Sequence, residues 1–119
     1  MHYSAQREIV YEVVSARCDH PTALQVYVDC RAKWPKISLG TVYRDLAFLV
    51  DAQRLSKVST PGADHYEADT STHPHFLCTK CGKVVNAPAS DALTVSLPKN
   101  DWQIESCSVI YSGVCPSCK

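Results

Sequence analysis

Apolar residues recur at helical spacing three times in the first fifty residues. Ile9, Val10, Val13 and Val14 form one stripe behind Ser4, a residue suited to start a helix. Asp19-His20-Pro21-Thr22 breaks the period, and Thr22 caps a second helix carrying Leu24, Val26, Tyr27 and Cys30. Trp34-Pro35 ends it. Ser38 opens a third helix with Val42, Leu46, Leu49 and Val50 facing inward. The period then drops to two. Leu55 to Ser59 alternates as a strand, Pro61-Gly62-Ala63-Asp64 turns, and His65 to Asp69 reads as the returning strand.

Three short helices and a hairpin are the order of a winged helix-turn-helix, in which the third helix enters the DNA major groove. Its outward face is expected to offer Thr41, Tyr43, Arg44 and Asp45. Tyr43 and Arg44 suit base-edge or phosphate contacts. The polar joint Thr70-Ser71-Thr72 predicts a boundary, giving residues 1–70 and 71–119. The second part reads as strands at Phe76-Leu77, Lys83 to Val85 and Gln103 to Tyr111, with a short helix near Ser90 to Leu97. The expected class is α+β: a winged helix, then a small α/β domain whose strand edges would pair with a second copy.

Composition narrows this picture. A length of 119 residues allows one domain or two very small ones. A piece of about 50–60 residues has a marginal core, for which a structural metal is a common remedy. No run is long and apolar enough to span a membrane. The N-terminal residues lack a signal peptide's order of charge and apolar stretch, so a cytoplasmic protein is expected. Net charge is zero, but Arg31 to Lys57 holds six basic residues against Asp45 and Asp51. That local excess fits a face for DNA.

Candidate chemistry lies in cysteines and histidines. Cys78-Thr79-Lys80-Cys81 and Cys115-Pro116-Ser117-Cys118 are two C-x-x-C pairs, the spacing that delivers four thiolates to a tetrahedral zinc. In a reducing compartment such pairs are metal ligands rather than disulfides. Cys18, Cys30 and Cys107 are left, expected as small buried hydrophobes. His73-Pro74-His75 on an extended segment puts two imidazoles on one face. His65, Glu67 and Asp69 alternate upstream, and His20 stands at the corner between the first two helices. Imidazole with carboxylate suits Fe(II), Mn(II), Zn(II) or Ni(II). An ion held by His20 and by His73 with His75 would tie the helical part to the strand part and select one arrangement of the two.

At this point the chain resembles the ferric uptake regulator family of metalloregulatory repressors. The resemblance is carried by His20-Pro21-Thr22-Ala23, Ser38 to Leu46 (SLGTVYRDL), His73 to Val84 (HPHFLCTKCGKV) and Gly113 to Cys118 (GVCPSC). It implies a homodimeric repressor that binds a double-stranded DNA operator, with a structural Zn(II) on Cys78, Cys81, Cys115 and Cys118. It maps a regulatory Fe(II) or Mn(II) site onto His20, Glu67, His73 and His75. The family's acidic fifth ligand falls on Asn86, a neutral and poorer donor for a hard ion. Asp69 or His65 is the candidate substitute, since both share a strand face with Glu67. DNA contacts are expected from Ser38, Thr41, Tyr43 and Arg44, joined by Gln6 and Arg7. With only Met1 to Tyr3 before the Ser4 corner, the third helix and the wing would carry more of the DNA affinity.

Some family members hold a third metal, whose positions here are Thr72, Pro74, Leu93 and Cys107; three of these cannot serve, so the site is expected to be missing. Two sites per subunit resembles the peroxide-sensing branch, in which a ligating histidine is oxidised. His20 and His73 would be the residues at risk. Zinc-sensing relatives often carry cysteine at the Glu67 position, yet a zinc-responsive repressor stays open. So do a zinc-stabilised dithiol redox protein and a zinc-ribbon interaction module. Nothing pairs a nucleophile with a base, and the four glycines form no phosphate cradle, so no enzyme is expected.

Overall fold

Three hydroxyl side chains start the three helices in the computed structural model, which describes residues 4–87, 103 and 107–119. Ser4 Oγ accepts the Arg7 N–H at the head of α1 (Ala5–Ser15). Thr22 and Gln25 exchange hydrogen bonds as a capping box before α2 (Ala23–Lys33). Ser38 Oγ accepts the Thr41 N–H at the start of α3 (Leu39–Asp51). Each cap satisfies a donor that the first helical turn leaves without an intrahelical partner.

The chain divides into two compact units, Met1–Thr70 and Ser71–Lys119. In the first, the three helices bury one continuous core. Val10, Val13 and Val14 come from α1, Ala23, Val26 and Cys30 from α2, and Val42, Leu46 and Leu49 from α3. Ile37, Leu55 and Tyr66 close it. Each buried valine or leucine side chain contributes about 1.5–3 kcal/mol by leaving water. A hairpin follows, β1 (Ser56–Ser59) antiparallel to β2 (Asp64–Glu67), with Ser56 opposite Glu67 and Ser59 opposite Asp64. Thr60 closes the turn by donating its N–H and its hydroxyl to the Ala63 carbonyl.

Several expectations change here. Leu24 is 58% exposed, one residue off the buried row of α2 formed by Ala23, Val26 and Cys30. Asp45, expected outward, is buried on α3 between Val42 and Leu49. Arg7 explains how a carboxylate tolerates that position: its Nε lies 3.9 Å from Asp45 Oδ1, and its guanidinium covers the Phe48 ring at 3.7 Å. Burial still raises the Asp45 carboxyl above its usual range. The returning strand stops at Glu67, and Asp69 lies exposed beyond its end.

In the second unit β3 (His75–Cys78) is central. It pairs antiparallel with β4 (Val84–Asn86) and parallel with β5 (Ile110–Gly113), in the order β4-β3-β5. The strand expected over Gln103 to Tyr111 is later and shorter: among the described residues pairing starts at Ile110 and runs to Gly113. Gly113 packs closely under the Phe76 ring, and a Cβ there would lie 3.2 Å from it, so the ring would have to shift by a few tenths of an ångström. The short helix expected near Ser90 to Leu97 lies outside the described residues. The buried apolar side chains described in this unit are few, among them Cys78, Val84 and Cys115. No helix among the described residues is long and apolar enough to cross a membrane.

Candidate metal centres and reading helix

Four sulfurs converge in the second unit. The Sγ atoms of Cys78, Cys81, Cys115 and Cys118 all lie within 4.8 Å of one another. The Cys81–Cys115 pair is 3.9 Å apart, and the edge of a tetrahedron with 2.3 Å zinc–sulfur bonds is about 3.8 Å. Two tight turns deliver them. After β3 the chain reverses through Gly82, whose φ of +78° favours glycine and whose N–H reaches the Cys78 carbonyl at 2.8 Å. After β5, Cys115 leads into a 3-10 turn over Pro116–Cys118.

Backbone donors prepare the thiolate. The Cys115 N–H points at Cys78 Sγ at 3.4 Å, and the Cys81 N–H does the same. They hold the Cys78 thiol down to about 5, Cys115 contributing most. Cys118 is pushed up to about 12, first by its hydrogen bond with the Cys115 sulfur. A soft divalent cation that replaces the protons of such a quartet satisfies all four sulfurs at once. Of the other cysteines, Cys30 fits the core, with burial raising its thiol to about 11. Cys18 and Cys107 are exposed, contrary to expectation.

The first unit contains a different donor pair. His20 and Glu67 are both buried, and His20 Nε2 lies 2.6 Å from Glu67 Oε2. The helix corner supplies the imidazole and β2 supplies the carboxylate. His65, two residues before Glu67 and buried on the same strand face, donates its Nδ1–H to the His20 carbonyl at 2.7 Å. Period-two alternation marked His65, but only the structure reveals this bond. A buried imidazole and carboxylate at that separation share a proton, and would move apart to about 3 Å to ligate one divalent ion.

The second unit adds two more imidazoles. His73 and His75 have ring centroids 4.5 Å apart, and His75 is buried. The carbonyl of Ser71 accepts a hydrogen bond from His73 Nδ1 at 2.7 Å. Asn86 lies opposite His75 across the β3–β4 ladder, so its amide is on the row next to that ring.

On α3, Tyr43 is exposed, while Arg44 donates to Thr41 Oγ1 at 3.3 Å and Ser38 donates to the same oxygen at 2.9 Å. The three DNA-contact candidates at the helix start thus form one hydrogen-bonded row. Arg7 turns onto Phe48 and Asp45 of α3, whereas Gln6 is half-buried on α1. The basic excess is smaller in space than along the chain. Glu8 holds Arg54 with two bonds of 2.6 and 3.0 Å, and Glu12 lies 3.7 Å from Lys33.

Comparison with known proteins fits this arrangement. The peroxide-responsive repressor PerR of Staphylococcus epidermidis is 27% identical over 118 residues, spanning 96% of this chain and 79% of that protein. The Helicobacter pylori ferric uptake regulator Fur superposes with a TM-score of 0.82 at 24% identity, covering 99% of this chain and 82% of that one. The Campylobacter jejuni peroxide stress regulator gives 0.74 at 23% identity, with 95% and 88% covered. The sequence profile of the Ferric uptake regulator family matches residues 1–112, and the chain belongs to that family.

Proposed function

We propose that the protein is a metal-dependent, DNA-binding transcriptional repressor that works as a homodimer and responds to peroxide. The buried His20–Glu67 pair supports this reading, because an imidazole and a carboxylate suited to a divalent ion lie in the same unit as the candidate reading helix. Residues 1–70 act as the winged-helix DNA-binding domain, and residues 71–119 as the dimerisation domain. Cys78, Cys81, Cys115 and Cys118 hold a structural Zn(II), supported by their mutual distances and by thiolate chemistry.

His20, Glu67, His73 and His75 hold the regulatory Fe(II) or Mn(II). Their mixture of imidazole and carboxylate fits a borderline divalent ion. Asn86 completes the set as a neutral donor, and Asp69 is the acidic group near enough in sequence to supplement it. Because donors come from both units, binding selects one arrangement of them. In a dimer that fixes the spacing of the two α3 helices against DNA half-sites. A preference of a few kcal/mol, on the order of a hundredfold in affinity, makes such a switch effective. Ser38, Thr41, Tyr43 and Arg44 contact the operator, with Gln6 and Arg7 supporting them from α1.

A redox-active ion at this site would bring peroxide chemistry beside the imidazoles. His20 or His73 then gains one oxygen atom from peroxide and water is released, which removes a donor and frees the DNA. The test is an operator-binding series with Fe(II), Mn(II) and Zn(II), repeated after a peroxide pulse. We expect Fe(II) and Mn(II) to support binding and peroxide to abolish only the Fe(II) effect. Mass analysis should find one added oxygen on the His20 or His73 peptide. Operator affinity indifferent to all three ions would sink the metal-dependent reading. Binding supported best by Zn(II) and unaffected by peroxide would favour the zinc-responsive alternative.

A further inference from the structure

His20 has a backbone that its sequence does not favour. Its φ is +53°, in the left-handed region, although the residue before a proline is normally pushed to extended conformations. A non-glycine residue stays there only when its surroundings over-determine it. Those surroundings come largely from β2. The Tyr66 N–H donates to the Pro21 carbonyl at 2.9 Å, and Thr22 forms an isolated antiparallel bridge with His65. His65 Nδ1 lies 2.7 Å from the His20 carbonyl oxygen. On the other flank, Arg17 grips Asp19 through two bonds of 2.9 and 2.7 Å and reaches Asp29 of α2 at 3.0 Å.

We propose that His65 is a positioning residue for His20: its Nδ1–H, donated to the His20 carbonyl, holds the left-handed corner and so aims the His20 imidazole at Glu67. The assignment follows from the bond. A carbonyl oxygen only accepts, so the proton must sit on Nδ1. The same strand then delivers both the brace and the carboxylate, His65 and Glu67 being two residues apart on one buried face. Without the brace, the corner relaxes toward the extended backbone that Pro21 favours, and the 2.6 Å approach of His20 to Glu67 is lost. The His65 bond is a side-chain element of this frame, so a single substitution removes it and leaves the neighbouring backbone bonds. The sequence suggests His65 as a spare ligand; its bond to the corner gives it another task.

The inference rests on the reading of His20 and Glu67 as regulatory ligands. The test therefore compares four full-length, zinc-loaded proteins: wild type, His20→Ala, His65→Phe and His65→Asn. Free Mn(II) is measured by electron paramagnetic resonance. His65→Phe should bind Mn(II) about 10–100-fold more weakly, the range found when a ligand's supporting hydrogen bond is removed. His65→Asn, whose amide can donate from nearly the same place, should recover most of that loss. Independently, nitrogen-15 NMR of the Mn(II)-free wild type should find the His65 ring proton on Nδ1. Mn(II) binding by His65→Phe equal to wild type, or a neutral His65 ring protonated on Nε2, overturns the brace. If His20→Ala binds Mn(II) as wild type does, the ligand reading fails instead, and the ring-proton measurement still decides the brace.

Discussion

The two units present their donor side chains on very different foundations. The Cys78–Cys81–Cys115–Cys118 quartet sits in a unit whose described buried apolar side chains are few. The His20–Glu67 pair sits beside a core to which all three helices contribute. The contrast separates two uses of metal-binding groups. In a unit of about 50 residues a core alone is marginal, and the bonds to an ion can supply folding energy. Where a core already exists, a buried imidazole–carboxylate pair is free to respond to an ion without deciding whether the unit folds. On the proposed reading, the quartet would hold a permanent metal and the His20 corner an exchangeable one.

Removing a zinc ligand should break this comparison most severely. Structural zinc sites contribute about 10–16 kcal/mol of apparent binding energy, more than a unit of this size can replace. Cys115→Ser should abolish the β3–β4–β5 pairing and the dimer while the α1–α2–α3 core persists. Methyl NMR of the full chain reads both at once, and a retained second-unit spectrum would defeat the staple. The reciprocal change is milder. Leu46 is fully buried at the centre of the first unit, so Leu46→Ala should cost about 2–5 kcal/mol and lower its melting transition. Zinc content should not change. Loss of zinc in Leu46→Ala would mean that the two foundations are not separate.

How much of this was legible beforehand follows the same division. The helices of the first unit were readable because Ser4, Thr22 and Ser38 are local signals, each acting within three residues of itself. The sulfur quartet was readable because C-x-x-C spacing is set by a single turn. The failures are non-local. Asp45 reads as a solvent-facing acid until Arg7, from another helix, is seen beside it. The late start of β5 is set by its pairing with β3, not by the alternation before it. The excess of positive charge shrinks because Glu8 and Glu12 of α1 meet Arg54 and Lys33. The alternation put His65 on the strand face of Glu67, but its partner is a backbone carbonyl that no residue pattern announces.

Arg44 tests the working face of the first unit without touching either foundation. It is exposed, and it donates a hydrogen bond to Thr41 on its own helix. Arg44→Ala should weaken operator binding by about 1–3 kcal/mol, roughly 5–150-fold, as expected for loss of one good base or phosphate contact. Melting temperature and zinc content should stay at wild-type values. Unchanged operator affinity would remove Arg44 from the reading surface and shift attention to Tyr43.

The smallest effect should come from the Glu8–Arg54 pair, which ties α1 to the segment following α3. Both groups are largely in water, where screening and side-chain entropy leave ion pairs a minor role. The hydrogen bond from Arg54 lowers the Glu8 carboxyl below its usual value of 4.5. A carboxyl depressed in the folded state adds stability that is complete above the unfolded pKa and fades as pH falls through the folded one. Arg54→Met, which also leaves the stack on Tyr11, should therefore lower the first unit's melting temperature slightly at pH 7. The difference from wild type should narrow as pH falls below 4.5, and in concentrated salt. Parallel melting curves across that range would assign the contribution of Arg54 to its contact with the Tyr11 ring. In that case the first unit, like its core, would be held at this edge by packing rather than by charge.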